Sequence, residues 1–181
     1  DEADFSVFYV QYSDGVIVFD FHAQGKVLAG MRLGVPVWVN VENSVAALAI
    51  GSLLGLTEQE LRDGLESFAG VYRRFNMHVR TSRVCYIDDY AHHPEELRAS
   101  IESVRRLYPE RRLLVVFQPH LYSRTRDFAD GFAQVLSEAD GVLLLPIYPA
   151  RELPIAGVTS EWLLQMMPTD KLPMAQVVEK T

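Results

Sequence analysis

Acidic, histidine and arginine residues collect in two short segments of the chain. The first is residues 88–94 (DDYAHHP), in which two carboxylates closely precede two imidazoles. The second, residues 118–126, contains His120, Arg124 and Arg126. Carboxylates accept hydrogen bonds from ribose hydroxyls or bind Mg²⁺ through water. Arginine binds a phosphate or carboxylate through two parallel hydrogen bonds. These residue types predict a site for an anionic ligand such as a nucleotide.

Each of these residues also has a purely structural explanation. Asp88 and Asp89 could cap the end of a strand while the histidines fill space, and single arginines are usually solvated surface charges. We assign no metal ligands, because adjacent residues in one loop rarely close a tetrahedral site. A third polar segment, residues 146–152, ends in Arg151-Glu152. Spacing alone does not distinguish that pair from a surface ion pair of little energetic value.

Short apolar strands alternate with helices over the second half of the chain. Strands are predicted over residues 84–87, 113–117, 142–145 and 175–178, and helices from Pro94, around 128–136 and around 161–167. This alternation is typical of a parallel sheet covered on both faces, an α/β Rossmann-like fold. Ligands bind beyond the carboxyl ends of such strands. The three polar segments each follow a predicted strand, so we expect them at one shared edge.

The first part of the chain is β-rich and then helical. The predicted elements are strands over residues 5–10, 16–21, 26–31 and 35–39 and helices over residues 43–56 and 58–68. Ser13-Asp14-Gly15 predicts a hairpin turn, and Thr57 with Glu60 predicts a capping box. An asparagine before an apolar helix is usually an N-cap, which explains Asn40 or Asn43 but not both.

Composition argues against several classes of partner. The chain of 181 residues has a formal net charge of −7, which disfavours binding to nucleic acids or membrane surfaces. The longest apolar stretch, residues 45–56, is too short to span a bilayer. The single cysteine, Cys85, fits a reducing cytosol. We therefore expect a cytoplasmic protein that binds small molecules. No P-loop motif occurs.

Five motifs occur in the order typical of the Mur ligases, and each resembles a signature of that family. They are residues 40–47 (NVENSVAA), 70–75 (GVYRRF), 88–96 (DDYAHHPEE), 117–128 (FQPHLYSRTRDF) and 147–152 (IYPARE). The resemblance implies an ATP- and Mg²⁺-dependent ligase of cell-wall precursor synthesis. The fourth motif resembles the members that join L-alanine to UDP-N-acetylmuramate through an acyl phosphate.

The resemblance also implies a domain organisation. Residues 1–76 would be the C-terminal part of a central ATPase domain, and residues 77–181 a truncated Rossmann-like C-terminal ligase domain. The chain begins at Asp1 without methionine, so we expect it to be part of a longer protein. Because ATP and Mg²⁺ would be bound mainly by a preceding P-loop region, we expect this chain alone to be inactive.

The resemblance further implies roles for nucleotide-binding residues. Asn43 would contact adenine, and Arg74 and Asp89 would hold the nucleotide, with Asp89 at the ribose. The family commonly has histidine where this chain has Val39.

On the muramyl and amino-acid side, His92 and Arg124 would be the catalytic and substrate-binding groups. Tyr90 and His120 are secondary candidates for ligand contacts. Many members have arginine where this chain has Leu121.

Two other functions fit the same residues. A recycling ligase that attaches a whole tripeptide to the same nucleotide shares the acid–histidine loop. A non-catalytic nucleotide-binding module could keep the fold without the reaction.

Overall fold

A computed structural model describes residues 3–13, 15–168 and 174–178, and the chain forms two compact units. The first unit comprises Asp1–Tyr90 with Glu102–Pro109, and the second comprises Ala91–Ile101 with Glu110–Thr181. The prediction of a domain boundary near residue 77 stays a prediction. None of the described helices has both the length and the apolar run that crossing a bilayer requires.

The first unit combines two antiparallel sheets with helices. Its elements are β1 (Phe5–Ser13), β2 (Val16–Ala23), β3 (Lys26–Arg32), α1 (Trp38–Leu53), α2 (Glu58–Ser67), β4 (Asn76–Arg80) and β5 (Cys85–Asp88). Strands β1, β2 and β3 pair in sequence order, and β4 pairs with β5. Alternate residues of β2, namely Ile17, Phe19 and Phe21, are fully buried in the core of this unit. The alternation follows from the two-residue period of a strand with one covered face.

The second unit is a parallel sheet with helices. Its elements are β6 (Leu114–Phe117), α4 (Tyr122–Asp127), α5 (Ala129–Leu136), β7 (Gly141–Leu144), α6 (Ser160–Gln165) and β8 (Ala175–Val177). The strands lie in the order β6-β7-β8, and all pairs are parallel. Helix α3 (Pro94–Leu107) contributes its first half to this unit and its second half to the first unit. The core includes Phe132, Leu136, Val142 and Leu163, which are almost completely buried.

The predicted fold class is confirmed, since the second unit is an α/β arrangement around parallel strands. Most predicted elements occur within a few residues of their expected bounds. The hairpin of β1 and β2 and the capping box of Thr57 and Glu60 are present, although turn residue Asp14 lies outside the described residues.

The prediction that the strand before the acidic pair joins the parallel sheet is wrong for the described residues. This strand is β5, and it pairs antiparallel with β4 in a sheet of two strands. The reason is a tight turn, in which the hydroxyl oxygen of Thr81 accepts hydrogen bonds from the amides of Arg83 and Val84. Such a turn returns the chain beside the strand that it has just left.

The predicted strand over residues 35–39 is also wrong, because helix α1 begins at Trp38. The amide of Val37 donates to the carbonyl of Val35 (3.0 Å), and the amide of Asn40 donates to the carbonyl of Val37 (2.9 Å). These local bonds turn the backbone into the helix before a strand can extend. The N-cap position belongs to Val37, so an N-cap role explains neither Asn40 nor Asn43.

Candidate functional site

The imidazoles of His92 and His120 lie close together in the second unit. Their ring centroids are 6.4 Å apart, with the planes at 63°. Burial lowers the pKa of His120 below its ordinary value of 6.5, and the positive charge of Arg124 and the neighbouring His92 lower it further. The Glu152 carboxylate opposes this shift. His120 is therefore neutral at pH 7, beside a permanent positive charge.

The start of helix α3 holds His92 in place. The backbone amide of His92 donates to Glu96 Oε2 (2.9 Å), and its Nδ1 lies 3.3 Å from the same oxygen. His93 instead packs edge-on against Phe128, with centroids 4.5 Å apart. Of the two adjacent histidines, His92 therefore lies beside the candidate residue His120. His93 packs against Phe128, which is the space-filling alternative considered for these histidines from the sequence.

The loops that follow β6 and β7 are joined at His120. The imidazole of His120 stacks on the Tyr148 ring, with centroids 5.4 Å apart and planes at 24°. The amide of Leu121 donates to the Tyr148 carbonyl (2.9 Å), and the amide of Tyr148 donates to the Pro119 carbonyl (2.8 Å). The carboxyl ends of two adjacent parallel strands thus bring both loops to one edge, as predicted for these two of the three segments.

Glu152 also connects these two loops, through hydrogen bonds with Ser123. Its Oε2 accepts a hydrogen bond from the backbone N–H of Ser123 (2.9 Å), and its Oε1 accepts one from the Ser123 hydroxyl. The hydroxyl and amide of Ser123 hold the pKa of Glu152 below its usual value. Sequence reasoning missed both this bond and the stacking of Tyr148, because no local spacing links residues so far apart in the chain.

The two arginines of helix α4 have different surroundings. The Arg124 charge acts on His120, whereas Arg126 is exposed and donates to Asp127 Oδ1 from Nε (2.8 Å). Of these two arginines, Arg124 is therefore grouped with His92 and His120. We call these three residues the histidine–arginine cluster.

A second group of candidate residues lies in the first unit, around Tyr90. The guanidinium carbons of Arg73 and Arg74 lie 5.1 Å and 5.6 Å from the centroid of the Tyr90 ring. Asp89 Oδ1 accepts the backbone amides of Phe75 (3.2 Å) and Tyr90 (2.8 Å). Arginines stacked on a tyrosine beside a carboxylate form a surface that suits a phosphorylated sugar.

Asn43 lies beside an apolar cavity of about 370 Å³ in the first unit. Its walls include Leu33, Val35, Leu48, Leu61, Leu65 and Phe68, with Asn40 and Asn43 as amide groups among the lining residues. Asn43 Nδ2 donates to Asn40 Oδ1 (3.4 Å), and Asn40 Nδ2 donates to the Val35 carbonyl (3.1 Å). Apolar walls with a few oriented amides fit a heteroaromatic base such as adenine.

The predicted site residues therefore fall into separate groups. In the second unit His92 lies beside His120, and the charge of Arg124 acts on His120. In the first unit Arg74, Asp89 and Tyr90 lie together. The loop 88–94 is divided between the units after Tyr90. The functional roles of these residues stay predictions.

Residues 73–180 match the family described as "Mur ligase, glutamate ligase domain". This match covers more than half of the chain. The chain belongs to the Mur ligase family. The family resemblance inferred from the five motifs is thereby confirmed.

Curated relatives within the Mur ligase family are similar over most of this chain. A protein of Porphyromonas gingivalis named UDP-N-acetylmuramate–L-alanine ligase is 52% identical over 166 residues, which cover 92% of this chain and 36% of the relative. A Flavobacterium johnsoniae protein of the same name is 46% identical over 167 residues, or 92% of this chain and 37% of the relative. The chain thus spans little more than a third of the length of these relatives.

Two solved structures align with almost the whole of this chain. The UDP-N-acetylmuramate–alanine ligase of Thermotoga maritima aligns with a TM-score of 0.75 and 26% identity, covering 99% of this chain and 38% of that one. A folylpolyglutamate synthase of Thermotoga maritima aligns with a TM-score of 0.72 and 20% identity over 98% of this chain and 40% of that one. At that identity the second likeness shows the shared fold alone.

Proposed function

We propose that this chain belongs to a ligase that joins L-alanine to UDP-N-acetylmuramate at the expense of ATP, in the synthesis of peptidoglycan precursors. The observation that carries the proposal is the histidine–arginine cluster, which gathers three motif residues from two separate motifs at one edge of the second unit. The substrates that we propose are those in the names of relatives that are about half identical to this chain.

The nucleotide would bind to the first unit. Asn43 would hydrogen-bond the adenine ring at the rim of the apolar cavity. Arg74 would offer its guanidinium to a phosphate, while Tyr90 keeps that guanidinium oriented. Asp89, whose Oδ1 already holds the backbone amides of Phe75 and Tyr90, would accept a hydrogen bond from a ribose hydroxyl, because a carboxylate has about four acceptor sites.

The muramyl and amino-acid side would use the second unit. Arg124 would neutralise a carboxylate or a developing phosphate charge. His92, oriented by Glu96, would present its imidazole Nε2 to the same region. His120, neutral at pH 7, would supply a hydrogen bond without adding a further charge.

The muramyl carboxylate would attack the γ-phosphate of ATP, which forms an acyl phosphate and releases ADP; bound Mg²⁺ would supply neutralisation of the phosphate charge. The alanine amine would then attack the acyl carbon, lose a proton and displace phosphate. Such a reaction needs several substrates held together and the phosphate charge neutralised. This chain contains no P-loop sequence, so we propose that the chain alone does not catalyse it.

The test is phosphate release by the full-length protein to which we propose the chain belongs. It is given ATP, Mg²⁺ and UDP-N-acetylmuramate with either L-alanine or the tripeptide. Release that depends on alanine supports the proposal. Release only with tripeptide would assign the protein to the recycling ligases, and release with neither would favour a nucleotide-binding module.

Two variants connect the activity to the cluster. Arg124→Ala removes the positive charge beside His120 and is expected to lower kcat/KM by about 100-fold or more. Arg126→Ala is the matched control, because Arg126 lies in the same helix but is exposed and bonded to Asp127. Equal loss in both variants would count against the role given to Arg124.

A further inference from the structure

Glu152 makes two hydrogen bonds, and the proposed reaction as described above gives this residue no function. Its two carboxylate oxygens accept the amide and the hydroxyl of one residue, Ser123, across 29 positions of sequence. Both partners are half-buried. A carboxylate that accepts two hydrogen bonds from one residue fixes the orientation of that residue as well as its distance.

Ser123 lies immediately beside the histidine–arginine cluster in the chain. Leu121, at the N-cap of helix α4, has no side-chain hydrogen bond that would cap the helix. Its φ of 70° lies in the left-handed region, where a branched side chain is strained. A strained residue keeps its conformation only when the surrounding bonds hold it. Glu152 supplies such bonds on the C-terminal side of Leu121.

On the N-terminal side, the loop after β7 holds the same segment. The Leu121 amide donates to the Tyr148 carbonyl, and the Tyr148 ring stacks on His120. Tyr148 and Glu152 therefore bind the segment on both sides of Leu121. His120 precedes the strained residue, and Arg124 follows Ser123 in α4.

We propose that Glu152 is a positioning residue for the ligation, which fixes the geometry of His120 and Arg124 through its two hydrogen bonds to Ser123. The inference rests on the proposed function for its substrate side, since His120 and Arg124 face the amino acid there. Glu152 would act through Ser123 and not by touching a substrate. If the hydrogen bonds between Glu152 and Ser123 are removed, the strained turn at Leu121 relaxes. The side chains of His120 and Arg124 are then no longer held at a fixed distance from each other.

The kinetic test uses the full-length protein and the variants Glu152→Ala, Ser123→Ala and their combination. We expect Glu152→Ala to raise KM for L-alanine by about 10- to 100-fold, since a displacement near 1 Å has effects of this size. KM for ATP should change by less than about twofold. Adding Ser123→Ala to Glu152→Ala should cost little more, because the two side chains share one interaction.

Thr159→Ala is the matched control in the same unit. The Thr159 hydroxyl accepts the Trp162 amide (3.1 Å) and caps helix α6, so its loss lowers stability without touching the cluster. It should lower Tm and leave KM for alanine unchanged. If Glu152→Ala does no more than this control, or raises KM for ATP in step with KM for alanine, the positioning role is refuted.

Glu152→Gln separates position from charge. A glutamine keeps one oxygen to accept the Ser123 amide, and its NH₂ group can donate to the Ser123 hydroxyl oxygen. This variant should therefore recover most of the alanine KM. A KM as high as that of Glu152→Ala would show that the negative charge itself acts, and would overturn the positioning role.

A spectroscopic readout on the 181-residue chain keeps this inference distinct from the proposed ligase activity. If the full-length wild type shows no alanine-dependent phosphate release, the proposed function fails. The positioning role of Glu152 is then judged by NMR alone. Glu152→Ala should shift the His120 ring and Arg124 side-chain resonances, while Thr159→Ala should not. Identical His120 and Arg124 resonances in wild type and Glu152→Ala would refute the positioning role of Glu152.

Discussion

Two glycines in helices provide a direct test of how the second unit positions the start of α3. Gly131 lies in α5 and Gly64 lies in α2, and neither has a positive φ. A Cβ added at Gly131 would lie 2.9 Å from Pro94 Cγ and 3.1 Å from Pro94 Cβ, whereas a Cβ at Gly64 would meet no atom within 4 Å. The same substitution is therefore expected to have opposite effects at the two sites.

The magnitudes follow from two opposing contributions. Replacing a helical glycine by alanine stabilises a helix by about 0.5–1 kcal/mol. Overpacking against a rigid group costs about 1–3 kcal/mol, and the proline ring cannot rotate away as a flexible side chain would. Gly64→Ala should therefore raise the free energy of unfolding by about 0.5–1 kcal/mol, and Gly131→Ala should lower it by up to about 2 kcal/mol.

The assay is urea denaturation followed by tryptophan fluorescence. The chain has two tryptophans, Trp38 in the first unit and Trp162 in the second, so each unit is observed separately in a Trp38→Phe or Trp162→Phe background. The Gly131→Ala effect should appear in the Trp162 signal and the Gly64→Ala effect in the Trp38 signal. A Gly131→Ala chain stabilised as much as Gly64→Ala would refute the close approach of α5 to Pro94.

Three further predictions concern charge, caps and nucleotide binding. Because the pKa of His120 is lowered in the folded state, the unfolded chain binds its proton first, and stability should fall as the pH drops below about 6.5. NMR titration should show this pKa rising towards its ordinary value in Arg124→Ala, and an unchanged value would contradict the assigned cause. Thr57→Ala removes the capping box of α2 and should cost about 1 kcal/mol in urea denaturation, while no loss would mean that the cap is not formed in solution. Asp89→Ala frees the amides of Phe75 and Tyr90 and should weaken ADP binding to the full-length protein by about tenfold or more in calorimetry, whereas unchanged affinity would exclude Asp89 from the nucleotide site.

Local patterns predicted many of the elements correctly. The apolar periodicity of helix α3, the capping box at Thr57 and the alternation in β2 depend on neighbours within one or two turns or strands. Such signals are present in the sequence itself. The partner of β5 was predicted wrongly because a short apolar strand carries no signal that distinguishes a central parallel position from a hairpin. The turn at Thr81, whose effect is local, made that choice.

The candidate site shows the same division. The motif resemblance singled out His92 and Arg124 as candidates. The strand–helix alternation predicted that the loops after β6 and β7 meet at one sheet edge, which the contact of His120 with Tyr148 confirms. Sequence reasoning did not show that His93 packs on Phe128 while His92 faces His120. The side chains of adjacent residues point in different directions, and only the packing decides which of the two imidazoles lies beside His120.

By itself, the sequence determined the family, the α/β class and the residue types available for chemistry. These properties depend on residue identity and on periodicities within short segments. The tertiary structure alone decided that Glu152 fastens Ser123, that burial and Arg124 keep His120 neutral, and that the acidic and histidine halves of one motif belong to different units. Hydrogen bonds, desolvation and charge interactions depend on distances through space, and residues far apart along the chain acquire those distances only when the chain folds.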